Sequence, residues 1–138
     1  MNNKIIEIAK TYIGTPWTHQ GRIKKIGVDC AGLVVCVLKE FGYNVNFDVK
    51  GYNRIPEGVN LKNIARDFFI EVEFDEIKDG DILLFNILGN PQHIAFYLKE
   101  NEIDYIIHSY GDPSVNKVVQ SRLDSKWRER ICGIFRIK

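Results

Sequence analysis

The chain has 138 residues, with 19 Lys and Arg against 18 Asp and Glu and a formal net charge of +1. That length suits one domain spanning 1–138, and 45% hydrophobic with 27% charged residues excludes a disordered chain and a multi-spanning membrane protein. The near-neutral balance leaves no basic field for sequence-independent binding, so neither nucleic acid nor a membrane is expected as a partner.

Residues 3–13 place Ile5, Ile6, Ala9, Tyr12 and Ile13 at helical spacing behind an Asn cap, and Gly14 with Pro16 closes the segment. A short amphipathic helix is predicted there. Glu7 and Lys10 interrupt it, so the start lacks the apolar core of a secretory signal and synthesis in the cytoplasm is expected. Residues 14–28 gather Gly14, Pro16, Gly21, Gly27 and the basic Arg22, Lys24 and Lys25, which predicts a long loop. Such loops often carry function.

Asp29 then precedes Cys30 and an unbroken apolar run from Ala31 to Leu38, ending at Phe41 with Gly42 as a C-terminal cap. The apolar residues run around the whole circumference, so this helix is expected to be central and buried. After a loop rich in Gly, Asn and Pro, residues 61–69 read as helix. The signals beyond Phe74 are those of strands, near 82–87, 93–99, 103–109, 117–121 and 131–137. Helices followed by strands indicate an α+β domain, with the helices packed on a five- to six-stranded, mainly antiparallel sheet.

Cys30 is the candidate nucleophile. At the first turn of a helix, unpaired N–H groups and the macrodipole favour a thiolate, so its pKa is expected to fall. The same N–H groups would serve an oxyanion. Three histidines, His19, His93 and His108, are the available bases. If Lys99 to Glu102 form the loop between two strands, Leu98 pairs with Ile103 and His93 stands directly across from His108. Their Cβ atoms would then lie about 4.5–5.5 Å apart, close enough for one imidazole to orient the other.

Other assignments compete with this one. A cysteine opening an apolar helix is commonly a small core residue, and strand histidines are commonly structural. Cys36 lies about 240° around the helix from Cys30, so the two thiols should not cooperate. Cys36 and Cys132 are read as packing residues, and three cysteines without C-x-x-C spacing suggest free thiols. A zinc site built from Cys30 and the histidines is the rival chemistry, but no usual ligand spacing supports it. No metal and no cofactor are expected.

Gly14-Thr15-Pro16-Trp17, Gly27-Val28-Asp29-Cys30-Ala31-Gly32-Leu33-Val34, Gly80-Asp81-Ile82-Leu83-Leu84-Phe85, His93-Ile94-Ala95-Phe96-Tyr97 and Ile107-His108 resemble, in order and spacing, the NlpC/P60 family of cell-wall cysteine peptidases. The loop Thr18-His19-Gln20-Gly21-Arg22 is most similar to the branch carried by bacteriophage tail proteins. The resemblance implies a papain-like α+β fold with Cys30 as nucleophile, His93 as general base and His108 as the residue orienting it. It implies hydrolysis within the peptidoglycan stem peptide, commonly between D-γ-glutamyl and a diamino acid, with Trp17, His19 and Asp29 as substrate contacts. Phage tail proteins would be partners, and the protein would reach the wall within a tail or a larger assembly. Ala31 stands where the family usually has Ser, and Trp17 where it usually has Tyr. An amidase or acyltransferase on the same scaffold and a non-catalytic tail or peptidoglycan-binding module are the alternatives.

Overall fold

The computed structural model describes residues 3–45 and 58–138. Helix α1 (Asn3–Lys10) leads into two short paired strands, β1 (Arg22–Ile23) and β2 (Gly27–Val28), and then helix α2 (Cys30–Phe41). Helix α3 (Gly58–Phe68) and strand β3 (Phe69–Glu71) follow. Strands β4 (Ile82–Ile87), β5 (Asn90–Glu100), β6 (Ile103–Tyr110) and β7 (Lys117–Arg122) come next, then helix α4 (Ser125–Arg130) and strand β8 (Ile131–Ile137). Six strands form one antiparallel sheet in the order β3-β8-β4-β5-β6-β7. The α+β expectation therefore holds. The Gly-, Asn- and Pro-rich loop expected ahead of residue 61 lies for the most part outside the described residues.

Each face of the sheet carries its own cluster. Ile82, Leu84, Ile94, Phe96, Leu98, Ile107 and Val118 pack with Ile5, Ala9 and Tyr12 of the N-terminal segment and with Leu33, Val37 and Leu38 of α2. Leu83, Phe85, Ala95, Tyr97 and Ile106 face the other way, where Trp127 of α4 joins them. Fully burying one such aliphatic or aromatic side chain is worth about 1.5–3 kcal/mol, so α2, with Leu33, Val37 and Leu38 fully buried, is fixed firmly against the sheet. Gly42, at φ 97°, ends α2 with the left-handed cap expected of it.

Four details differ from the sequence expectation. Helix α1 stops at Lys10, and a turn follows in which the Thr11 hydroxyl donates to the Ile8 carbonyl. Ile13 therefore leaves the buried face and is exposed. Helix α3 ends at Phe68, because Phe69 enters the sheet opposite Ile137. The β5–β6 connection is a two-residue turn, Asn101-Glu102, with φ 51° and 65°. Both positive values mark the tight hairpin turn. Lys99 and Glu100, expected in the loop, pair instead with Asp104 and Ile103, and Leu98 faces Tyr105. The register is thus two residues from the expected one. An even shift keeps every side chain on its face, so His93 and His108 become diagonal neighbours instead of opposite ones. Helix α4 went unrecognised in the sequence.

The expected long loop, 14–28, is held at many points. Thr18 accepts from the Gly21 N–H through its carbonyl, and its own N–H donates to Val28. A Cβ at Gly21 would stand 2.4 Å from the Gly27 carbonyl oxygen, so the two chain segments touch where only glycine fits. This packing brings the loop against the start of α2.

Candidate active site

The α2 N-terminus is organised by Asp29. Its carboxylate accepts from the Gly32 N–H at 2.7 Å as the helix cap, from the Gln20 N–H at 2.8 Å, and from Arg22 Nη1 at 3.1 Å. Only 4% of the residue is exposed. One buried carboxylate thus ties the helix end to the loop at residues 20–22, and that loop crosses α2 so closely that a Cβ at Gly32 would stand 2.1 Å from the Gly21 carbonyl oxygen.

Cys30 follows the cap and is half-buried. Its Sγ lies 3.9 Å from the Gln92 carbonyl oxygen, and the Ile94 N–H also reaches it, so the sulfur is seated against the β5 main chain on both sides of His93. The thiol pKa is pushed up to about 12, first by burial and then by the charge of Asp29. The Ile94 and Ala31 N–H groups and Arg22 act in the opposite direction and are outweighed. This corrects the expectation of a lowered pKa. The macrodipole and first-turn N–H groups favour the anion, but desolvation and an adjacent carboxylate penalise it more. Both causes favour the neutral thiol over the thiolate.

His93 Nε2 lies 2.7 Å from His108 Nδ1, and His108 Nε2 lies 3.1 Å from Ser121 Oγ. Three adjacent strands, β5, β6 and β7, supply this series. The imidazoles are walled by aromatic rings: Phe85, Tyr110 and Trp127 lie with centroids 5.9, 5.4 and 5.4 Å from His93, and Tyr110 stacks on His108 at 5.4 Å. Burial holds His93 well below the usual imidazole range, aided by His108 and then Arg130, and burial lowers His108 to about 4. Both rings are neutral at rest.

Alternation along β5 sends Ile94, Phe96 and Leu98 toward α2, and Ala95 and Tyr97 toward α4. His93 belongs to the second set, with Phe85 and Trp127 as ring neighbours, whereas Cys30 packs on the first cluster. The sulfur therefore rests on the β5 main chain beside His93, and the imidazole pair packs toward Phe85 and Trp127. Among the described residues no hydrogen bond joins Sγ to His93. The β5 strand is irregular here: its register with β4 slips between Phe85 and Asn86.

The remaining candidates are more dispersed. Trp17 is half-buried, and a Cβ at Gly111 would stand 2.8 Å from its indole. His19 is exposed, with Nε2 3.3 Å from Gln20 Nε2. Cys36 turns away from Cys30 and donates to the Arg22 carbonyl at 3.2 Å. Among the described residues no group of three or more His, Cys, Asp or Glu is placed to hold a metal ion, and no helix is long and apolar enough to cross a membrane. Sequence reasoning missed Ser121, Tyr110 and Trp127. Ser121 and Tyr110 could have been found by extending the strand alternation from His108; Trp127 sits on the unrecognised α4.

The sequence profile of the NlpC/P60 family matches residues 14–136, which includes both strands of the histidine pair and the capped cysteine. The chain belongs to the NlpC/P60 family. Among solved structures, this NlpC/P60 domain is similar to a lipoprotein-like protein of the same family from Staphylococcus aureus, with 23% identity and a TM-score of 0.67. That match covers 99% of this chain and 41% of the staphylococcal one. The NlpC/p60 domain of the peptidoglycan hydrolase SagA matches with 21% identity and a TM-score of 0.68 over 99% of both chains. RipD from Mycobacterium tuberculosis, a non-catalytic NlpC/p60 protein adapted to peptidoglycan binding, matches with 15% identity and a TM-score of 0.65, covering 99% of this chain and 97% of its own. These likenesses establish the papain-like α+β fold. No curated protein matches the chain.

Proposed function

We propose that the protein is a cysteine peptidase that hydrolyses a peptide bond in the peptidoglycan stem, between D-γ-glutamyl and a diamino acid. The observation that carries this is the juxtaposition of Cys30 at a capped helix end with the β5 segment bearing His93, whose ring is in turn bonded to His108. Family membership and the SagA-like fold support the substrate class.

His93 Nε2 is engaged with His108, so Nδ1 is the nitrogen left to act as base. The resting pair is neutral, and substrate binding must bring sulfur and imidazole into contact, since catalytic hydrogen bonds often tighten only in the complex. His93 Nδ1 then takes the thiol proton, and sulfur attacks the carbonyl carbon. The Cys30 N–H at the helix end stabilises the oxyanion. The carbon–nitrogen bond breaks, His93 returns the proton to the leaving amine, and a thioester remains. Water attacks the thioester, giving its proton to His93, and the thiol is regenerated with release of a carboxylate. Trp17 and His19 contact the stem peptide from the loop. Asp29 supports that loop from beneath, because its carboxylate already holds Gln20, Arg22 and Gly32.

A binding-only role is the second reading, and one observation favours it: among the described residues Sγ meets the Gln92 carbonyl and makes no hydrogen bond to His93. RipD shows that the fold accommodates such a role. The loop Thr18–Arg22 supports delivery to the wall in a phage tail, with tail proteins as partners, which mass spectrometry of purified virions tests. For catalysis, purified peptidoglycan is incubated with the wild type and with Cys30→Ala, His93→Ala and His108→Ala. Release of new amino groups by the wild type alone is expected. Equal release by Cys30→Ala would overturn the assignment.

A further inference from the structure

We infer that Ser121 is a positioning residue for the cysteine–histidine chemistry: its hydroxyl accepts the His108 Nε2 proton and so keeps His93 Nδ1 free to act as base. The inference rests on the peptidase function proposed above and adds a residue on a third strand.

The bonding pattern admits two arrangements of protons. One proton lies between His93 Nε2 and His108 Nδ1, 2.7 Å apart. If His108 supplies it, neutral His93 carries its own proton on Nδ1 and cannot take one from a thiol. If His93 supplies it, Nδ1 is bare and available. A neutral His108 must then bear its proton on Nε2, where it needs an acceptor, because a buried N–H without one costs about 1–3 kcal/mol.

Ser121 Oγ, 3.1 Å from His108 Nε2, supplies it: a hydroxyl can accept or donate at that distance, and in this arrangement it accepts. The ring neighbours of the pair, Phe85, Tyr110 and Trp127, present aromatic faces and edges. Among the described residues no buried side-chain nitrogen or oxygen lacks a partner, and for His108 Nε2 that partner is Ser121. The arrangement also survives turnover. When His93 becomes imidazolium it donates from both nitrogens, and its bond to His108 Nδ1 and the His108 bond to Ser121 remain unchanged. The opposite arrangement would have to reverse both bonds.

The strand geometry explains why this side chain can do it. Ser121 pairs with Ile106 and His108 with Val119, so Ser121 and His108 are diagonal neighbours on one face, the relation that also joins His108 to His93. Ser121 is half-buried near the edge of the sheet, where a β-branched replacement suits a strand.

The test compares Ser121→Thr with Ser121→Val, which have nearly the same shape and differ in the hydroxyl. Nitrogen-15 spectra of the histidine rings, recorded without substrate, report which nitrogen carries each proton. Peptide release from purified peptidoglycan reports kcat and KM. In the wild type and Ser121→Thr both His93 and His108 should carry the proton on Nε2. In Ser121→Val, Nδ1-protonated rings should appear, and kcat should fall by about 3- to 10-fold with KM unchanged, the range expected from losing one buried hydrogen bond. Ser121→Ala provides the same comparison if the valine variant folds poorly. Identical spectra and kcat for Ser121→Thr and Ser121→Val, or a wild-type spectrum with the proton on His108 Nδ1, would overturn the inference. A proton shift in Ser121→Val with no turnover by the wild type would leave the relay standing and remove the peptidase assignment.

Discussion

Replacing Asp29 with Ala removes the acceptor for three donors at once: the Gly32 N–H, the Gln20 N–H and Arg22 Nη1. Loss of the helix cap alone is worth about 1 kcal/mol. The bonds from Arg22, whose side chain is only 12% exposed, and from the Gln20 N–H both run to a charged carboxylate, and such bonds are worth about 1.5 kcal/mol or more each. The expected destabilisation is therefore about 4 kcal/mol. With roughly 2.1 cal/mol/K of unfolding entropy per residue, a chain of this length should lose about 14 °C in Tm. Asp29→Asn keeps a cap acceptor and loses the charge, so it should fall about midway. Thermal unfolding followed by circular dichroism, with urea titration for the free energy, measures both. A Tm for Asp29→Ala within about 3 °C of the wild type would refute the anchoring role.

Gly32→Ala should also loosen the loop, because the new Cβ would meet the Gly21 carbonyl oxygen at 2.1 Å and backbone cannot yield; urea unfolding should show a loss of about 3 kcal/mol. Cys30, with its thiol pushed up to about 12, should react with iodoacetamide at neutral pH more slowly than an ordinary thiol of pKa about 8.5, and speed up as pH rises above 8.5. Peptide mass spectrometry over time reads this, and preferential labelling of Cys30 at about pH 6 would contradict it. His108, lowered to about 4, binds a proton less readily folded than unfolded, so its contribution is full above about pH 6.5 and is lost as pH falls toward 4. His108→Asn should flatten the decline in urea stability over that range by up to about 3 kcal/mol, and an unchanged decline would count against buried neutral imidazoles.

The elements legible in the sequence were those whose residues speak locally. Asp29, Cys30 and Gly42 mark the ends of α2 by cap chemistry, and the β4 to β8 strands announce themselves through apolar runs and turn residues. Tertiary terms were not legible. The macrodipole at Cys30 follows from its position, but the desolvation that outweighs it follows only from where β5 crosses. The hairpin register misled because Lys99 and Glu100 look like loop residues, yet Lys99 pairs with Asp104 and Glu100 meets Lys10 and Gln120. Their polarity is satisfied by neighbours distant in sequence. Helix α4 has six residues and no apolar period; its sequence signal is the Asp124 cap, which accepts from the Trp127 N–H at 3.0 Å. Short helices depend on packing, so Trp127 and its place beside the histidines were visible only in three dimensions.

Defined stem peptides, incubated with the protein and analysed by mass, test the central claim most directly. Cys30-dependent hydrolysis predicts two products whose masses sum to the substrate plus one water, with cleavage after the D-γ-glutamyl residue, and none of either product from Cys30→Ala. Intact substrate recovered in complex with the protein, or the same products from Cys30→Ala, would contradict it.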